Sequence, residues 1–510
     1  MATRLLALVA LLALMVGPTV AQDARTVLQA TAKNIGADTA KTLQITGTGW
    51  NAAVGQSYSP AEDWPKFEVT GYTKTIDFDA RFSREQVTRR QGTYPPRGGG
   101  GTPIQGEQRQ DLILSGNTAW NMNGNDPVPI VRGYLDGIPV AELRQLEILL
   151  LTPQGFVKAA LAPGANPTAV TWTPRGRRVT DVSFTALGKY RVSGTINDQN
   201  LLEFAQTRIA NPVFGDMLYE TRYGPYKDFG NVKFPAIIHH HQGDDRLNPG
   251  HNVLDIRVSN VQANVTVPAL AIPDAAKTAA PPVRVESQKL ADGVWYLGGG
   301  SHNSMAVEFR DFVTVVEAPL NEERSLAVIG EVHRLVPNKP IRYMVNTHHH
   351  FDHSGGLRTY VAEGATIVTH QGNRDFYEKV LFAPAPRTLQ PDRLFALNPD
   401  VVRDAVFETL NQKYVLSDGT RTMDIYPVQG LAHASAMVMA YLPKEKILVN
   451  ADLYSPPAPG APPPMPNPNI VTLNQNIQRL KLDVAQHVPI HGRVGTNEEF
   501  VKIVGKPATN

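Results

Sequence analysis

Thr347-His348-His349-His350-Phe351-Asp352-His353 sets three imidazoles and a carboxylate at the H-x-H-x-D-H spacing within six residues. It follows Ile341-Arg342-Tyr343-Met344-Val345-Asn346, whose alternating apolar and polar side chains, rich in β-branched and aromatic types, predict a strand running into a loop. His348 and His350 lie two apart and project to the same side. Asp352 and His353 come next, where Ser354-Gly355-Gly356 opens a helix. Neutral imidazole nitrogen and carboxylate oxygen are the donors that Zn²⁺, and less selectively Fe or Mn, accept at roughly 2.0–2.2 Å. The bland alternative is a solvated His-rich loop, and only the wider context separates the two.

That context lies downstream. Pro427-Val428-Gln429-Gly430-Leu431-Ala432-His433 follows an apolar segment and precedes a hairpin-like pair, Ala436–Leu442 and Ile447–Asn450, turned at Pro443-Lys444-Glu445-Lys446. The second strand ends in Ala451-Asp452-Leu453-Tyr454. Near the C-terminus, Val488-Pro489-Ile490-His491-Gly492-Arg493 is a short apolar strand ending in a His and a Gly.

With these five motifs in order, residues of about 284–510 resemble the metallo-β-lactamase superfamily. The resemblance implies an αββα sandwich holding one or two metals at the loop edge of its two sheets. It implies His348, His350 and His433 around the first metal, Asp352, His353 and His491 around the second, and Asp452 between them. Two cations ~3.5–4 Å apart share a hydroxide, lower its pKa toward neutrality and polarise a carbonyl or phosphoryl oxygen. Asp352 is the expected catalytic residue, orienting that hydroxide and passing a proton to the leaving group. Two Zn²⁺ are the expected cofactors, with Fe or Mn as substitutes.

The other histidines are weighed against plainer roles. His349 lies between two ligands and faces the opposite side, with a supporting role as the alternative. His302, in Gly298-Gly299-Gly300-Ser301-His302-Asn303-Ser304, sits in a loop that the resemblance brings near the metal edge, with a plain structural role first and a substrate-side role as the alternative. His333 falls on an amphipathic helix with Leu326, Ile329, Val332 and Leu335 as its apolar stripe, and reads as surface. His370 and His487 flank short strands as structural residues. In His239-His240-His241 the outer two share one face of a strand, but no further acidic or His partner stands at ligand spacing.

Met1-Ala2-Thr3-Arg4, the apolar run Leu5–Val16 and the small residues Thr19-Val20-Ala21 read as a cleaved secretory leader over 1–21. The run is too short to span a bilayer as a stable helix. Cys is absent, which excludes a disulfide framework and a lipid-modified Cys at the cleavage site. A periplasmic or secreted location is expected, without a transmembrane anchor. The net charge of +2, with no basic run longer than Arg175-Gly176-Arg177-Arg178, gives no case for nucleic acid.

Length implies more than one domain. Val267–Pro282, dominated by small residues and Pro, reads as a linker over 268–283. Before it, alternating segments at Lys41–Gly47, Phe67–Tyr72, Asp111–Leu114, Lys189–Gly194 and Asn252–Val261 surround a helical stretch near Val140–Ala160. A curved antiparallel sheet wrapped round helices covers such strands. Arg222–Pro235 and the strand ending Asn260–Asn264 resemble the last strands of periplasmic lipoprotein-carrier half-barrels. The expected fold class is therefore α+β in two domains, a half-barrel over 22–267 and a metallo-β-lactamase sandwich over 284–510. Two Gly/Pro-rich loops remain. Tyr94–Pro103 is expected to be mobile, whereas Ser455–Pro466 leaves from Asp452 and is placed either to wall the metals or to stand as an ordinary connection.

The function these features predict is a secreted dinuclear hydrolase of an ester, thioester or lactone through a metal-bridging hydroxide. The all-His/Asp ligand set, in a chain without Cys, is more like the glyoxalase II and lactonase branches. A β-lactamase of the all-His/Asp kind is the alternative, and a binding protein for an apolar ligand with a vestigial metal domain is a third. Partners are limited to a small-molecule substrate, apolar in one variant. A fragment beginning near Val283 is expected to carry the whole metal site.

Overall fold

The computed structural model describes residues 23–505 apart from 131–136, 248, 269, 278–281, 384, 398–403 and 463. The leader segment lies outside the described residues. Among the rest, residues 42–263 form one antiparallel sheet of thirteen strands, running in space from Asp126–Pro129 at one edge to Thr168–Trp172 at the other. The chain meanders through it twice. Its last strand, His251–Ala263, joins the two runs by pairing with Thr42–Ala52 on one side and Ile237–Gln242 on the other. Lys66–Asp77 and Val179–Ala186 alternate buried and partly exposed positions along most of their length, as a half-buried strand must.

The helices Ala24–Ile35, Val140–Leu150 and Pro153–Leu161 supply the apolar cover. Leu28, Ile35, Leu149, Phe156 and Val157 pack with Val182, Phe184, Val192 and Met217 of the sheet. The proline-rich stretch expected to be a bare linker is partly structured. Val267, Ile272 and Ala276, the last on the short helix Asp274–Lys277, lie against Phe82, Ile113 and Trp120.

Residues 286–496 form two facing sheets. One has seven strands, ordered from Glu286–Ala291 to Phe407–Leu410, and the other six, from Tyr414–Ser417 to Gly495–Thr496. Their inner faces meet through Val307, Val316, Val345, Ile425, Val449 and Val488. Helix Glu322–Leu335 lies outside the first sheet, burying Val328, Ile329 and Val332. Leu326, expected on the apolar stripe, is exposed, so the buried stripe is shifted around the helix. The buried Arg324 beside it donates to the carbonyls of Leu297 and Gly298. Pro468–Leu480 and Asn497–Val504 cover the second sheet, burying Leu473 and Phe500.

The N-terminal sheet and the sandwich share apolar and polar contacts. Trp64 and Phe214 of the former meet Phe351 of the latter edge-on, at ring separations of 5.8 and 4.9 Å. Arg387 donates to the carbonyls of Pro212 and Val213, and Asp216 accepts from the backbone of Thr388 and Leu389. No described helix is long and apolar enough to cross a membrane.

Candidate metal centre

Every residue of the predicted set leaves the carboxyl end of a strand in the sandwich. Strand Ile341–Val345 runs parallel to Val313–Val316 and Thr366–His370 and delivers His348, His350, Asp352 and His353. Thr422–Pro427 leads to His433, Ile447–Asn450 to Asp452, and Gln486–Pro489 to His491. The loops at one edge of both sheets thus converge.

All seven side chains come together. His348 Nε2 is 2.9 Å from His350 Nδ1 and 3.3 Å from Asp452 Oδ2, and His433 Nε2 is 3.3 Å from the same oxygen. On the other flank, His353 Nε2 lies 3.0 Å from Asp452 Oδ2, and His491 Nε2 lies 2.9 Å from Asp452 Oδ1 and 3.3 Å from His353 Nε2. Asp352 Oδ2 is 3.8 Å from His353 Nε2. Asp452 therefore touches both imidazole groups. Its backbone has φ +57°, a left-handed conformation that an Asp adopts at some cost and that is common at functional sites.

The donor atoms fit cations. His348, His350, His433 and Asp452 form one group whose ligand atoms all lie within 4.8 Å of one another, and Asp352, His353, His491 and His302 form a second. His433 Nε2 and Asp452 Oδ2 are buried and make no hydrogen bond. Burial, with the neighbouring imidazoles, pushes His348 and His350 well below the usual range, so both present neutral nitrogen. Burial also opposes charge on His353 and Asp452, yet the carboxylates of Asp452, Asp352 and Glu317 hold His353 well above its usual range, and His353 and His433 hold Asp452 well below its own. Three carboxylates, two buried and one partly buried, that draw a proton onto an imidazole would equally be neutralised by a divalent cation.

The outer nitrogens are also engaged. His353 Nδ1 meets Glu317 Oε2 at 2.9 Å and His348 Nδ1 meets Thr347 Oγ1 at 3.0 Å, while Thr347 and Asn346 both donate to Glu317. Such partners fix the tautomer and orientation of a ligating ring. Glu317 also comes within ligand range of His348 and His353, but it faces the outer nitrogen of His353, so it supports that ring from behind.

His350 Nε2 reaches the carbonyl of Ser57 at 2.8 Å, and His349 Nε2 reaches Ser57 Oγ at 3.0 Å. Gln56 Nε2 donates to Asp352 Oδ1 at 2.7 Å. His302 Nε2 lies 3.3 Å from Asp352 Oδ2, with its ring 4.0 Å from that of His491. Burial opposes the low pKa of Asp352, but His353 and the His302 hydrogen bond hold its carboxyl well below the usual carboxylate range.

Residues 297–484 match the family described as the metallo-beta-lactamase superfamily. The sandwich belongs to the metallo-β-lactamase superfamily. Its members are metal-dependent hydrolases, and this chain is an enzyme of that class. Similar solved structures include metallo-β-lactamases from Pontibacter korlensis (16% identity, 43% of this chain and 96% of that one, TM-score 0.31) and Hirschia baltica (18%, 43% and 96%, 0.32). Another is a Pseudomonas aeruginosa metallo-β-lactamase in its mono-zinc form (20%, 44% and 95%, 0.32). No curated protein matches.

Sequence reasoning missed Glu317, Thr347, Gln56 and Ser57 around this cluster. Tyr94–Pro103, expected to be mobile, is tied down beside it. Gly98 and Gly99 are buried, Gly98 N donates to Ala432 O and Gly100 N donates to Gln56 Oε1. The remaining histidines stay outside the cluster. His333 meets Glu363, His370 caps the helix that follows it, and His487 is buried beside Asn497. His239 pairs with Asp255 and His241 with Glu220, each facing a single carboxylate.

Proposed function

We propose that the protein is a secreted, two-domain, dinuclear hydrolase of an ester, thioester or lactone. Its domains are read as a lipoprotein-carrier-like half-barrel over 22–267 and the sandwich over 284–510, joined by 268–283, with 1–21 as the leader. His348, His350 and His433 are assigned to one ion, Asp352, His353 and His491 to a second, and Asp452 to both. The observation that carries the dinuclear reading is Asp452, whose two oxygens lie within 3.3 Å of four imidazoles drawn from both groups.

Two zinc ions in such a site supply Lewis acidity and a nucleophile available at neutral pH. Asp452, partly buried and held anionic by His353 and His433, offsets the concentrated positive charge. Asp352, anionic and anchored by Gln56 and His302, accepts the nucleophile's proton and returns it to the leaving oxygen or sulfur. Neutral imidazoles leave the centre net positive, as an acyl oxyanion requires.

A panel of lactone, thioester, aryl ester, phosphodiester and β-lactam substrates tests this. Turnover of the acyl esters that is lost to a chelator and restored by zinc supports the proposal. Turnover of β-lactams alone would replace it with the lactamase reading. The N-terminal unit also holds a cavity of about 610 Å³, lined by Phe78, Ile148, Leu149 and Leu187 together with Arg81 and Lys158, with room for a ligand that has an apolar part.

A further inference from the structure

The sandwich holds all the proposed ligands, yet two short segments of the N-terminal sheet lie against them. Residues 53–58, which follow strand Thr42–Ala52, contribute five contacts. Gly55 O accepts from Phe351 N, the Ser57 carbonyl lies 2.8 Å from His350 Nε2, Ser57 Oγ meets His349, Tyr58 O accepts from Ser435 N, and Gln56 Nε2 donates to Asp352 Oδ1. Residues 98–100 add Gly98 N to Ala432 O, next to His433. The two segments also fasten each other, because Gly99 N donates to the Gln56 carbonyl and Gly100 N to its side-chain oxygen.

This packing leaves no slack. A Cβ at Gly99 would lie 2.0 Å from Gln56 Oε1 and 2.9 Å from His350 Cε1, and one at Gly55 would lie 2.4 Å from the Phe351 ring. Gln56 itself is 8% exposed. Both ends of its carboxamide are committed, so Asp352 receives a donor of fixed position.

We propose that the N-terminal sheet completes the metal centre. Gln56 is a positioning residue that occupies Asp352 Oδ1 and so directs Oδ2 toward the cation held with His353 and His491, while the Ser57 carbonyl fixes His350 with Nδ1 facing inward. The proposal rests on reading Asp352 and His350 as ligands. It follows that cation binding and the docking of these segments reinforce each other, because coupling between two equilibria is reciprocal.

Zinc titration of the chelator-stripped full-length protein, with hydrogen exchange read before and after, tests this. In the unmodified protein zinc should slow exchange by at least about tenfold at residues 53–58 and 97–100, as well as in the ligand loops. In Gln56→Leu, the weaker of the two zinc sites should lose roughly 10–100-fold in affinity, the usual effect of removing an outer partner, and protection at 97–100 should fall. Gln56→Glu is a second variant of nearly equal volume that places a carboxylate against Asp352, and it should weaken the same site. Circular dichroism confirms that both variants fold.

Unchanged zinc affinities in the folded variants, or protection confined to the sandwich loops, would overturn the proposal. The unmodified protein's own stoichiometry is a separate readout. Fewer than two ions there would refute the dinuclear reading, whereas the ratio of variant to unmodified affinity still decides the role of Gln56.

Discussion

At the residue scale the site is organised by carboxylates more than by imidazoles. Glu317 is fully buried, has φ +78°, and accepts from Asn346 and Thr347 while facing His353 Nδ1. Glu317→Gln keeps its shape but turns one acceptor into a donor, so zinc affinity should fall about 10–100-fold; competition with a chromogenic chelator measures it. Asp352→Ala removes a proposed ligand and the proton acceptor but no apolar core. Turnover should drop by at least about a hundredfold with the far-UV spectrum unchanged, and near-normal turnover would refute its assigned role.

At the element scale, the strand-to-loop order of the sandwich was legible because each proposed ligand adjoins a short apolar strand. His348 to His353 follow Ile341–Val345 directly, and Asp452 follows Ile447–Asn450 by two residues. Glu317 also follows a short apolar strand, Val313–Val316, but it stands in no His/Asp motif, and the parallel pairing of that strand with Ile341–Val345 is what brings it behind the cluster. Gln56 carried less signal still, since its partner lies 296 residues away and an amide in a polar loop has no periodicity to betray it. Tyr94–Pro103 misled because Gly-rich composition reports backbone freedom, whereas here Gly98 and Gly99 permit close approach.

Gly355 makes the same point inside the sandwich, where a Cβ would lie 2.0 Å from the Leu320 carbonyl. Gly355→Ala should therefore destabilise the fold by about 1–3 kcal/mol, the range for overpacking. A lowered midpoint in chemical denaturation checks this.

At the scale of the whole molecule, the expectation that a fragment beginning near Val283 carries the complete site omits Gln56, Ser57 and the Trp64–Phe214–Phe351 contact. Such a fragment exposes Phe351 and the apolar residues beneath it, so it should self-associate and bind zinc at least about tenfold more weakly than the full chain. Gel filtration and zinc titration read both effects. A monomeric fragment with full affinity would make the N-terminal sheet dispensable to the metals.

The central claim is a two-cation centre shared through Asp452. Diffraction at the zinc absorption edge, on crystals of the zinc-reconstituted full-length protein, tests it most directly. Two anomalous peaks per chain, roughly 3.5–4 Å apart, are predicted, one among His348, His350 and His433, the other among Asp352, His353 and His491, with Asp452 contacting both. A single peak, or two peaks with Asp452 bound to neither, would contradict the account.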